Sequence, residues 1–161
     1  MARRASGFTL IEIMVVVGIV AILALLTLPG FMSQYVRNQI VEALPLADIA
    51  KSPVAASWAL AHALPADNAA AGLPVPEKVV NNHISALQIE DGAIHVTFGN
   101  RANTAIRGKV LSLRPAIVPD APIVPVAWVC GYAQVPGNMT ARGENRTSVP
   151  AQYLPVSCRA R

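Results

Sequence analysis

Gly7-Phe8-Thr9-Leu10-Ile11-Glu12-Ile13-Met14-Val15-Val16-Val17-Gly18-Ile19-Val20-Ala21-Ile22-Leu23-Ala24-Leu25-Leu26-Thr27-Leu28-Pro29 is the stretch whose reading decides the fold. About 20 apolar residues are enough to cross a bilayer, and the run from Phe8 to Phe31 exceeds that while carrying one ionisable side chain, Glu12. A carboxylate near the hydrocarbon centre costs about 2.5 to 3.5 kcal/mol on insertion scales, and such residues usually have a designated partner. The identity of that partner is the functional question.

Three ordinary explanations compete for the segment. A secretory signal peptide has a basic flank, an apolar run and a small-residue cleavage site. Arg3 and Arg4 supply the flank, but the run is too long and Thr27-Leu28-Pro29-Gly30-Phe31 resembles a helix break more than a peptidase site. A plain membrane anchor explains everything except Glu12. A buried helix of a soluble domain fits poorly, because apolar residues surround the segment and leave no polar face.

The short basic leader ending in Gly7, followed by Phe8-Thr9-Leu10-Ile11-Glu12, resembles the type IV pilin family, the prepilins of bacterial surface filaments. The similarity continues through Tyr35-Val36-Arg37-Asn38-Gln39-Ile40-Val41-Glu42-Ala43-Leu44, which looks like the continuing helix of the type IVa group. This resemblance implies cleavage between Gly7 and Phe8 by a prepilin peptidase on the cytoplasmic side, with N-methylation of the new Phe8 amine. The apolar segment then survives processing, first as an anchor in the inner membrane and afterwards as the core of a filament.

The chemistry of Glu12 agrees. Once Phe8 carries a free amine, a carboxylate on a neighbouring, axially offset helix can pair with it in an apolar core. A buried charge stripped of its partner destabilises by about 3 to 5 kcal/mol, so misregistered subunits are rejected. The bland alternative places Glu12 in the headgroup region at its end of the helix.

The composition fits one domain with an appendage: 161 residues, 53% apolar and 14% charged, with a net charge of +4. Loss of the leader leaves eleven basic residues against nine acidic ones. Arg3 and Arg4 favour a positive-inside orientation with the C-terminal part beyond the cytoplasmic membrane. In that oxidising compartment Cys130 and Cys158 read as one disulfide; two free thiols or half of a metal site are the alternatives.

The expected organisation is a leader over residues 1–7, an apolar membrane or filament-core helix over 8–31, an amphipathic helix over 32–64, and a globular region over 65–161. Helical spacing continues from Phe31 through Ile40, Val41, Leu44 and Ile49. Gly18 and Pro29 mark an expected kink, since proline lacks an amide donor, and in the family this portion can unfold locally on packing. Trp58, Leu60 and Leu64 are the expected docking stripe, and Ala63-Leu64-Pro65 the expected end.

Beyond an irregular connection over Pro65 to Pro76 the period becomes two. Ile84 to Glu90, the turn Asp91-Gly92 and Ala93 to Phe98 predict a hairpin with Ile94, Val96 and Phe98 on one face. Lys109 to Leu113 and Val126 to Ala133 predict two more strands, and prolines 115, 119, 122 and 125 an extended segment between them. The predicted class is α+β: a pilin fold with a long N-terminal helix packed on about four antiparallel strands. Cys130 and Cys158 would bracket a C-terminal loop like that of pilins. The resemblance is specific in the first 45 residues and architectural beyond them.

Other signals in the sequence are weaker. Asn138-Met139-Thr140 and Asn145-Arg146-Thr147 match a short glycosylation pattern that arises readily by chance. His62, His83 and His95 form no spaced cluster and read as surface or strand residues. With no Ser-His-Asp order, phosphate loop or paired carboxylates, the sequence reads as non-enzymatic, without metal or cofactor.

The sequence therefore points to a structural pilus subunit, a homo-oligomer built by an assembly ATPase, a platform protein and an outer-membrane secretin, serving adhesion, twitching motility or DNA uptake. A pseudopilin of a type II secretion system and a minor pilin are rivals within the family. Nucleic-acid binding is a rival of another class, suggested by a pI near 9.5 and by Arg142, Arg146, Arg159 and Arg161.

Overall fold

Helix α1 occupies Leu10–Ala61 in the computed structural model, which describes residues 7–160 and, of residues 27–30, the backbone alone. The leader arginines and Arg161 lie outside the described residues. The chain divides into two compact units, Met1–Gln34 and Tyr35–Arg161, and α1 contributes to both.

In the first unit Thr9 caps the helix, its Oγ1 accepting the amide of Glu12 at 3.3 Å. This is the Thr-x-x-Glu pattern of a helix start. The turns that follow are rich in valine and isoleucine, which weaken an isolated helix in water. In an apolar medium the balance reverses, because a helix satisfies every backbone group within itself. The helical assignment runs across Pro29.

In the second unit α1 lies on the sheet through Val36, Ile40, Ala43, Ala47, Ala50 and Val54, spaced alternately by four and three residues and all buried. Trp58 continues this stripe, as expected, and Leu64 packs partly against the core. Leu60 corrects the sequence expectation: it is 86% exposed. Val41 and Ile49, which the helical spacing also selected, are half-exposed. The helix carries more apolar residues than one face can bury, and the alanine-lined face is the one the sheet takes. Large side chains such as Leu87, Phe98 and Leu111 come from the strands and fill the space above those alanines.

The helix ends at Ala61, slightly before the expected Ala63-Leu64-Pro65. His62 adopts φ 53°, a left-handed helix-terminating conformation. Its amide still reaches the Trp58 carbonyl at 3.1 Å, and Ser57 Oγ donates to the Ala63 carbonyl at 2.8 Å.

The strands are β1 (Ile84–Glu90), β2 (Ala93–Phe98), β3 (Val110–Ile117), β4 (Ala127–Cys130) and β5 (Thr140–Ala141). They form an antiparallel meander β1-β2-β3-β4, with β5 added beside β3. The hairpin has its expected boundaries, turning at Asp91-Gly92. β3 instead runs past its expected end at Leu113 through Pro115, into the segment expected to be extended. It can do so because β2 has left β3 after Leu113, so no ladder partner on that edge needs the missing N–H. Beyond that point β5 takes the edge, pairing with Ala116 and Ile117, and Arg142 donates its amide to the Pro115 carbonyl at 2.8 Å.

Candidate assembly site

In the first unit the large apolar side chains from Phe8 to Leu26 are at least half exposed, and the helix is long and apolar enough to cross a membrane. Phe8 precedes the capping residue Thr9 and is 77% exposed. Glu12 follows in the first turn, exposed, where a carboxylate complements the positive end of the helix dipole. A Cβ built on Gly7 or Gly18 would meet nothing within 4 Å. An apolar surface of this extent needs a medium or partners, since water alone leaves it uncovered.

The C-terminal residues organise the β3–β4 side of the second unit. Cys130, ending β4, is bonded to Cys158. Between them, residues 140–149 travel antiparallel to β3 as a strap. The Arg146 amide donates to Ser112 Oγ at 2.9 Å, the Ser112 amide to Thr147 Oγ1 at 3.1 Å, and the Ser148 amide to the Val110 carbonyl at 2.9 Å. Asn145 secures the strap to β4: its Nδ2 donates to the Gly131 carbonyl at 2.9 Å while its Oδ1 accepts from Thr147. The sequence Asn145-Arg146-Thr147 thus has a structural explanation independent of glycosylation.

Of the four tail arginines suggested for nucleic-acid contact, Arg161 lies outside the described residues and the other three have different surroundings. Arg146 grips Glu90 through two nitrogens and Glu144 through Nε at 3.0 Å, and the Glu144 bond heads the interactions that raise its pKa. Arg159 turns back on the Leu154 and Gln152 carbonyls at 2.8 and 3.1 Å. Arg142 is exposed near the β1–β2 turn, lining a cleft with Trp58 and Asp91. Arg37 on α1 also donates to the Gln152 carbonyl, at 3.0 Å.

His95 was expected at the surface or in a strand. It lies in β2, but it is 3% exposed. Its Nδ1 is 2.9 Å from Ser112 Oγ, the same oxygen that accepts the Arg146 amide. Ser112 can therefore donate its hydroxyl proton to a neutral His95. Burial, reinforced by the Arg146 charge, holds the His95 pKa below its ordinary value despite Glu90 and Glu144. No sequence pattern joins Glu90, His95, Ser112 and Arg146, because the meander and strap bring them together.

The comparisons with known proteins agree with this architecture. A family model for pilin, a bacterial filament protein, matches residues 36–159, and one for the prokaryotic N-terminal methylation motif matches residues 2–28. A type IV major pilin protein of Neisseria gonorrhoeae is 32% identical over 160 residues, spanning 96% of this chain and 87% of that one. A fimbrial protein of Neisseria meningitidis serogroup A is 31% identical over 164 residues, spanning 96% and 94%. Fimbrial protein EcpC of Eikenella corrodens is 32% identical over 157 residues, spanning 96% and 90%.

The chain belongs to the pilin family. It is a structural, non-enzymatic subunit of a type IV pilus, a multi-subunit filament of the bacterial surface.

Proposed function

We propose that the chain is the major subunit of its pilus, made as a precursor, cut by a prepilin peptidase between Gly7 and Phe8 and N-methylated on Phe8. Residues 8–31 hold it in the inner membrane, and an assembly ATPase with its platform protein then moves it into the filament for export through a secretin. In the filament Glu12 pairs with the Phe8 amine of a neighbouring subunit. Gly18 to Pro29 supplies the place where the helix bends or loosens to fit. Adhesion, twitching motility or DNA uptake is the service such a fibre performs.

The observation that supports this reading best is the solitary carboxylate of Glu12, in the first turn of an apolar, uncovered helix and four residues after Phe8. A helix that merely anchored a domain would gain from its removal. The names of the relatives support the major rather than the minor role, and the disulfide bracket favours a pilus over a secretion piston.

Intact mass and electron microscopy of fibres sheared from cells test the proposal. Long fibres whose main component begins at Phe8, one methyl group heavier and two hydrogens lighter for the disulfide, are expected. Processed chain confined to the envelope, absent from sheared fibres, would replace the reading with a pseudopilin or minor pilin.

A further inference from the structure

The unit Tyr35–Arg161 has two ends of opposite charge. At one end β1 begins beside the finish of β2, with Ile84 opposite Phe98. There Gln39 of α1 accepts the Asn103 amide through Oε1 at 2.9 Å. The β2–β3 loop at this end presents Arg101, Arg107 and Lys109, all exposed, and the sequence has no acidic residue between Asp91 and Asp120. Glu42 of α1 is also at this end, 3.4 Å from His83 Nε2, but among the described residues none of the three cations has a salt-bridge partner.

The loop is firmly held. The Arg101 amide donates to the Asn82 carbonyl at 2.9 Å, Asn100 Nδ2 donates to the Asn81 and Ile84 carbonyls at 2.7 and 2.8 Å, and Ile106 is fully buried. The loop backbone therefore carries the three cations from fixed points, which lowers the entropy lost on docking.

The other end carries carboxylates. Asp91 turns the hairpin, donating its amide to the Ala66 carbonyl at 3.2 Å next to exposed Asp67. Asp120 follows the end of β3 and is exposed. Glu90 and Glu144 also lie toward this end but are engaged by Arg146, and Arg142 lines a cleft with Asp91. A surface serving solubility alone would intersperse the two signs.

We propose that the β2–β3 loop of one subunit docks, through Arg101, Arg107 and Lys109, on the acidic end of a second copy marked by Asp67, Asp91 and Asp120. Such a contact is head-to-tail and does not close on itself, so it repeats along a filament. It rests on the filament reading above. The opposite end of the same chain supplies the matching charge, which a nucleic acid or a lipid surface would not require. Complementary charge of this kind sets orientation and excludes wrong partners.

The test is a charge swap in the full chain, read as filament sheared from cells, with processed subunit in the envelope as the control for folding. Arg101→Glu with Lys109→Glu is expected to lower filament yield at least about fivefold, and so is Asp91→Asn with Asp120→Lys. Asn suits the left-handed φ of 47° at position 91. All four changes in one chain restore yield to within about twofold of the unsubstituted protein, because complementarity returns. Should the glutamates lower the subunit level, Arg101→Gln with Lys109→Gln replaces them, with a loss of about half expected.

Unchanged yield with a reversed loop, or a fourfold-substituted chain no better than its parents, overturns the proposal. Normal filaments that have lost capture of double-stranded DNA would overturn it too and give the loop to nucleic acid. Absence of filaments from the unsubstituted chain is a separate result, and it sinks the filament reading itself.

Discussion

Asn68 pairs with Ile89 as a neighbouring strand would, its Oδ1 accepting the Ile89 amide at 2.6 Å. Its Nδ2 completes the arrangement by donating to the Leu87 and Pro74 carbonyls at 2.9 Å each. One buried side chain thus closes the open edge of β1 and ties the helix-to-sheet connection to it.

Asn68→Ala leaves an amide and two carbonyls inside the protein without their partner. Unsatisfied buried groups cost about 1 to 3 kcal/mol each, although water can enter the space vacated. A loss of about 2 to 4 kcal/mol is therefore expected by denaturant titration of the full chain in detergent. A change below about 0.5 kcal/mol would show that solvent replaces the side chain.

Removing the Cys130–Cys158 bond opens a loop with a sequence separation of 28. The chain-entropy model gives about 3 to 4 kcal/mol for such a loop. Cys130→Ser with Cys158→Ser is expected to lose that much and to expose the strap to protease. An equally resistant strap would mean that its hydrogen bonds to β3 suffice.

His95 makes stability sensitive to acid. Its folded pKa lies below the ordinary value, so below about pH 6.5 the unfolded chain binds a proton that the folded chain refuses. Stability therefore falls as pH drops through 6.5 toward the folded pKa, by at most about 1.4 kcal/mol per pH unit for this group. His95→Gln should flatten the Tm profile between pH 7.5 and 5.5. An unchanged slope would assign the acid sensitivity to the carboxylates.

Glu12→Ala should leave membrane insertion intact, because it removes the single charged group from the apolar run. Sheared filaments should fall sharply while processed subunit accumulates in the envelope. Normal piliation would refute the pairing with Phe8. Glu12→Gln distinguishes charge from helix capping, since glutamine can also serve at this position of a capping box.

The hairpin and the first turns of α1 were legible because local rules decide them. Asp91-Gly92 sets a tight turn between alternating strands, and Thr9 and Glu12 stand at capping distance. The docking face of α1 was less legible: bulk suggested Leu60, whereas Ala43, Ala47 and Ala50 meet the sheet. Apolar periodicity identifies a surplus of candidate faces but not which one the strands fill. Arg146, Glu90 and His95 were beyond reach because their meeting depends on a strap whose register no local signal encodes. The basic loop at Arg101, Arg107 and Lys109 was not singled out from the sequence, because only the fold separates it from the carboxylates at the far end.

Residues 140–142 bond β3 on the edge opposite β4, and Thr147 and Ser148 bond it on the edge that β4 leaves after Cys130. The central strand thus waits for segments made long after it, and its exposed edge stays available for mispairing during synthesis. Chain order alone imposes the delay: the apolar helix is made first, and the segment that completes the central strand is made near the end, followed only by the residues that carry Cys158.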